Sequence, residues 1–167
     1  LTPLSFLYRT VNIFPKKIAW IYGKRMANYN ELYLRSKNLA IALKKLKVKK
    51  GDVVSVMLPN IPEMIEAHFG VPMSGAILNC LNTRLEKRSI EFILKHSKSK
   101  ILIFHEDYIS LVKSLSKKIK IKLLIVQDKR IRNYPSILNY DSFLKKFSKN
   151  EFKGLDNYFP DDEWDSI

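Results

Sequence analysis

Apolar residues near the start of the chain fall three and four positions apart: Leu4, Leu7, Tyr8, Val11 and Phe14. That spacing predicts an amphipathic helix. Thr2 supplies a capping hydroxyl, Pro3 suits the first turn, and Phe14-Pro15 closes the helix. The pattern then changes. Ile18 to Tyr22 reads as a strand, Gly23-Lys24 as a turn, and Arg25 to Tyr29 as the returning arm of a hairpin. Asn28-Tyr29-Asn30-Glu31 is a capping box, and Leu32, Leu39, Leu43 and Leu46 form the apolar stripe of the helix it opens.

Beyond Gly51-Asp52 the stretch Val53 to Leu58 is almost continuously apolar, as in a strand covered on both faces. Pro62 opens a helix whose Met64, Ile65, Phe69 and Met73 are expected to face a core, and Pro72 should kink or end it. Ala76 to Leu78 reads as a short strand and Asn79 to Leu85 as a loop. Thr83 to Glu86 has the form of a second capping box, starting a helix to about His96 with Ile90, Ile93 and Leu94 inward. Ile101 to Phe104 is a strand, Leu111, Val112 and Leu115 mark a helix, and Leu123 to Val126 is another strand. Gln127 to Leu138 reads as a loop and Asp141 to Phe147 as a short helix. This alternation predicts an α/β fold, a parallel sheet flanked by helices. Residues 1–155 make one α/β subdomain, and residues 156–167, with five acids and no bases, make an acidic boundary segment.

Composition supports a packed core: 46% of the 167 residues are hydrophobic. No apolar run reaches the length of a membrane span, and no segment has the pattern of a signal peptide. Leu1 in place of Met suggests an incomplete chain. The net charge of +14 raises the prospect of a nucleic-acid partner. Two features argue against it. The 23 lysines outnumber the 7 arginines, and the bases are spread along the chain. The densest run, Leu43 to Lys50, alternates basic with apolar residues, as at a helix end. Solvated faces with a weak attraction for anions are the expected outcome. The single cysteine, Cys80, excludes an internal disulfide and a multi-cysteine zinc site, and fits the cytoplasm. With no helper beside it in sequence, it reads as a packing thiol.

Motifs with chemistry are scarce. There is no G-x-G-x-x-G fingerprint and no G-x-S-x-G elbow. Gly70 and Gly75 have phosphate-loop spacing, but Ala76-Ile77 follows where Lys and Ser or Thr belong. They read as helix-breaking and turn glycines. His68, His96 and His105 lack metal-ligand spacing and read as structural or surface residues. Glu63 and Glu66, three apart, read as a solvated helix face. The residues by themselves point to an α/β domain with no visible active site.

Their order nevertheless resembles a known family. Asn28-Tyr29-Asn30-Glu31-Leu32 is similar to the early T-Y-x-E-L motif of adenylate-forming enzymes, with Asn28 in place of threonine. Gly51-Asp52-Val53-Val54 followed by Leu58-Pro59-Asn60-Ile61-Pro62-Glu63 resembles their G-D-x-V…L-x-N-x-P-E segment. Gly75 to Leu85 resembles their G-A-x-x-x-x-L-N-x-R-L segment. Asp161-Asp162-Glu163-Trp164-Asp165 resembles the acidic stretch just before their phosphate loop. The resemblance covers almost the whole chain. It is nearest to the N-terminal part of AMP-forming acyl-CoA synthetases, on the fatty-acyl branch.

The resemblance implies the N-terminal subdomain of the adenylate-forming fold, incomplete here. It implies a parent enzyme using ATP, Mg²⁺ and CoA. Such enzymes convert a carboxylic acid into an acyl-adenylate, release pyrophosphate, and pass the acyl group to the CoA thiol. The phosphate loop, the adenine and ribose motifs and the catalytic lysine are expected beyond Ile167. No catalytic or metal-binding residue is therefore assigned, and these residues alone are expected to be inactive. Arg84, Lys87 and Arg88 occupy the region where related ligases contact the CoA nucleotide, and are the candidate cofactor-binding residues. The implied partners are a fatty or other apolar acid, CoA and the rest of the synthetase chain, with no nucleic acid. Exposed apolar surface is expected where that remainder belongs. The alternatives are another adenylate-forming enzyme, such as an aryl-acid ligase or a luciferase-like oxygenase, and a basic binding module without catalysis.

Overall fold

Local signals at the start of the chain close as hydrogen bonds. A computed structural model describes residues 2–127 and 134–146. Helix α1 (Pro3–Ile13) begins with a reciprocal cap, in which the Thr2 hydroxyl accepts from the Ser5 N–H and the Ser5 hydroxyl accepts from the Thr2 N–H. Strands β1 (Ile18–Tyr22) and β2 (Arg25–Asn28) form an antiparallel hairpin. Helix α2 (Tyr29–Lys45) starts at the predicted capping box: Glu31 N–H donates to Asn28 Oδ1 (2.9 Å), and Asn28 N–H donates to Glu31 Oε2 (2.8 Å).

The sheet comprises β3 (Val53–Met57), β4 (Ile77–Cys80), β5 (Ile101–His105), β6 (Lys122–Val126) and β7 (Ile137–Asn139), in the order β4-β3-β5-β6-β7 and all parallel. Between these strands lie α3 (Pro62–Met73), α4 (Lys87–His96) and α5 (Ile109–Ser116), and α6 (Tyr140–Lys145) follows β7.

Both faces of the central strands are covered, so β3, β5 and β6 are mostly apolar. Val54, Val56, Ile103 and Leu124 pack with Leu39, Leu43, Ala67, Val71 and Tyr140 of α2, α3 and α6. Met57, Leu102, Phe104 and Ile125, which face the other way, pack with Ile90, Leu94, Val112 and Leu115 of α4 and α5. A third cluster joins α1 to the outer side of α2 and to the end of α3. No helix among the described residues is long and apolar enough to cross a membrane.

The G-D-x-V segment is a device for starting the sheet. Gly51 turns at φ 78°, where a side chain is strained. Asp52 Oδ2 accepts from the Lys49 N–H (2.7 Å) and from Lys100 Nζ (2.7 Å), tying the entries to β3 and β5 together. These contacts hold the Asp52 carboxyl below its usual range, against the opposing effect of partial burial.

Several expectations are corrected. Thr83 to Glu86 is not a capping box. Arg84 N–H donates to Asn82 Oδ1 (2.9 Å), which turns the chain early, and α4 starts at Lys87 behind Glu86 with no side-chain cap. The loop read from Gln127 to Leu138 contains the start of β7, too short for alternation to reveal. Ile65 is exposed rather than inward. Gly70 does not break α3; it lies within it. Gly75 does turn, at φ 80°. The end of the predicted last helix at Phe147 and the segment 156–167 lie outside the described residues.

Candidate functional site at the carboxyl edge of the sheet

The strand order decides where a ligand has room. The connection from β3 leads to β4 on one side, and the next strand, β5, lies on the other. Where connections diverge in this way, a crevice opens at the carboxyl ends of the strands. Here that edge carries Leu58-Pro59-Asn60 after β3, Cys80 to Leu85 after β4, and His105 at the end of β5. Two of the segments that carry the family resemblance therefore meet at one end of the sheet.

The three predicted cofactor-binding residues lie on the loop and first helical turn after β4. Arg84 is on the turn, Lys87 and Arg88 open α4, and all three are exposed. No carboxylate among the described residues pairs with any of them. The first turn of α4 contains no acid. Cations at a helix N-terminus are held against the dipole, so an anion there would gain from the free N–H groups and the side chains together.

Cys80 has a partner that sequence spacing hid. His68 Nδ1–H donates to the Met64 carbonyl (2.8 Å), which turns Nε2 toward Cys80 Sγ at 3.9 Å. The Cys80 contact raises the His68 pKa above the usual value, outweighing the effect of partial burial. Cys80 is thus an exposed thiol beside an imidazole, not a packing thiol. The residues are twelve positions apart and meet because α3 packs beside β4. His96 stacks on Phe92 with ring centroids 5.5 Å apart, and His105 caps the following 3-10 turn (Glu106–Tyr108), its Nδ1 accepting from the Asp107 N–H (3.4 Å). Among the described residues no three His, Cys, Asp or Glu side chains are placed to hold a metal ion.

Glu63 and Glu66 depart furthest from expectation. Both are buried, at 2% and 0% exposure, rather than solvated. Arg25 donates to Glu63 Oε1 (2.7 Å), which pins the hairpin to the start of α3. Arg35 engages both oxygens of Glu66 and donates to Asp141 Oδ1 (2.9 Å), and the buried Tyr140 hydroxyl donates to Glu66 Oε2 (2.9 Å). Burial raises the Glu66 pKa, and the Arg35 charge works against that rise. Burial and the neighbouring carboxylate push the Tyr140 phenol well above its usual value. This network braces α2, α3 and α6 against one another on one face of the sheet.

Comparison with known proteins places these features in context. A family model described as AMP-binding enzyme matches residues 7–154. The chain is 36% identical over 159 residues to a peroxisomal butyrate–CoA ligase, AAE11, of Arabidopsis thaliana, covering 93% of this chain and 27% of that protein. It is 39% identical over 156 residues to a peroxisomal benzoate–CoA ligase of Arabidopsis thaliana, covering 93% of this chain and 26% of the relative. An anthranilate–CoA ligase crystallised with anthranoyl-AMP superposes with a TM-score of 0.79 at 21% identity, over 86% of this chain and 27% of that one. At that identity the likeness is one of fold. The chain spans about a quarter of the length of these relatives.

Proposed function

The chain belongs to the AMP-binding enzyme family, and from that premise we propose that it is the N-terminal part of an ATP-dependent acid–CoA ligase. The family match across residues 7–154 carries the reading. In this proposal the parent enzyme joins a carboxylic acid to AMP, then moves the acyl group to the CoA thiol. A carboxylate is a poor electrophile, and AMP is a far better leaving group than oxide. The described residues would supply the wall of the site rather than its reacting groups. They contain no cluster suited to Mg²⁺, so no step is assigned to a metal here.

Arg84, Lys87 and Arg88 suit the phosphates of CoA, because they are exposed cations without carboxylate partners among the described residues. Arginine forks match phosphate oxygens in pairs. The proposed acid is a fatty or other apolar one. The names of the relatives favour a second reading, a short-chain or aryl acid such as butyrate or benzoate. We place the enzyme in the cytoplasm. The peroxisomal names of these relatives make the peroxisome the competing compartment, and imaging the tagged full coding product decides between them.

The test uses the protein encoded by the complete coding region. With laurate, butyrate and benzoate offered in turn, one acid should support ATP–pyrophosphate exchange and CoA thioester formation, while residues 1–167 alone support neither. No exchange with any acid would remove the ligase reading in favour of a binding module. Replacing Arg84 and Arg88 by Glu in that protein should raise the KM for CoA at least about tenfold, since each lost charge-assisted bond is worth over 1 kcal/mol. It should leave the exchange reaction, which needs no CoA, unchanged. An unaltered KM for CoA would show that these residues are only surface charge.

A further inference from the structure

The opposite edge of the sheet carries a second feature. Where α2 and α4 end and β5 and β6 begin, an open groove of about 580 Å³ runs along the amino ends of the strands. Its floor is apolar: Leu46, Leu94, Ile101, Ile119 and Ile121. Its rim is formed by six lysines, and no Asp or Glu lines it among the described residues. Three of the lysines are already engaged. Lys95 pairs with Glu91 (2.7 Å), Lys100 with Asp52 (2.7 Å), and Lys122 Nζ donates to the Leu46 carbonyl (3.1 Å).

The other three, Lys47, Lys98 and Lys120, have no side-chain partner among the described residues. Two of them are also held in an unfavourable backbone. Lys47 (φ 65°) and Lys98 (φ 52°) follow the C-caps of α2 and α4 in the left-handed region, where glycine or asparagine is the usual residue. A lysine there costs about 1 kcal/mol or more in local strain. Capping of helix carbonyls is the ordinary role of such residues. It does not account for three unpaired ammonium groups around one apolar floor. An anionic head with an apolar body would answer both parts of the surface, the lysines by charge and the floor by contact.

We propose that this groove binds a soluble single-chain amphipathic anion, an alkyl phosphate in chemical class. The volume is in the range of small-ligand pockets. Lysines act as mobile point charges on a phosphate and need no fixed orientation of it. The site lies at the other end of the strands from the proposed CoA contact and does not depend on the ligase reading.

Titration calorimetry with monomeric decyl phosphate on the protein encoded by the complete coding region tests this. The comparison protein carries Lys47→Asn, Lys98→Asn and Lys120→Gln. Asparagine tolerates the left-handed backbone, so the fold is kept while three charges are lost. A second protein, with Lys16, Lys17 and Lys24 each changed to Gln, loses the same charge elsewhere. Binding should weaken at least tenfold in the first protein and less than twofold in the second, and inorganic phosphate should bind at least tenfold more weakly than decyl phosphate. Equal weakening in both variants would reduce the effect to net charge and overturn the site. Equal affinity for the two phosphates would remove the role of the apolar floor. Binding to vesicles of anionic phospholipid without binding of monomeric decyl phosphate would overturn it in favour of a membrane surface.

Discussion

A methyl group at position 70 would stand 2.7 Å from the Ser36 carbonyl oxygen and 2.8 Å from Leu39 Cδ2. Gly70 is therefore required by the close approach of α3 to α2. Its backbone is ordinary helix, so the demand is purely steric. Gly70→Ala should destabilise the chain by about 1–3 kcal/mol, the usual cost of overpacking, read as a lower urea midpoint with an unchanged slope. A stability equal to that of the parent would mean that the two helices separate freely. The sequence shows a glycine in an apolar helix, but not what lies against it. Cys80 presents the same limit. Its histidine is invisible to spacing rules, because the contact runs from a helix to a strand.

Among elements, the joint between α2, α3 and α6 rests on Arg35, Glu66, Tyr140 and Asp141. Arg35 and Glu66 are separated by 31 positions, and Tyr140 and Glu66 by 74. Arg35→Met strands a buried carboxylate and should cost about 3–5 kcal/mol. Tyr140→Phe removes one hydrogen bond and should cost about 1–3 kcal/mol. Chemical denaturation of both variants and of the double variant measures the coupling. Strictly additive losses would mean that the two residues do not act on the same carboxylate. Two acids on one face of a helix ordinarily meet water, which is why Glu63 and Glu66 read as solvated. Only the arrival of arginines from β2 and α2 reverses that.

In the molecule as a whole, large apolar side chains of the first elements lie without cover among the described residues. Phe6, Ile13 and Phe14 of α1 and its end are more than half exposed, as are Ile18, Ile21 and Met26 of the hairpin. Patches of this kind mark contact surfaces. In the proposed ligase they would receive part of the remaining chain. Alone, the chain should self-associate as concentration rises. Ile21 and Met26 are cross-strand partners, so Thr at both keeps strand propensity while removing apolar area. That double variant should stay monomeric to several-fold higher concentration in sedimentation. A parent chain that is monomeric throughout would refute the idea.

The elements themselves were legible because their causes are local. Period, caps and turn residues act within a few positions, and so α1, the hairpin, α2 and the apolar strands stood in the sequence. The order of motifs was legible too, and it carried the family. What tertiary structure alone decided is which distant residues meet: Arg35 with Glu66, His68 with Cys80, Gly70 with Ser36, and six lysines around one groove. These pairings depend on the order of strands in the sheet and on how closely helices approach. Neither quantity is written in any short window of residues.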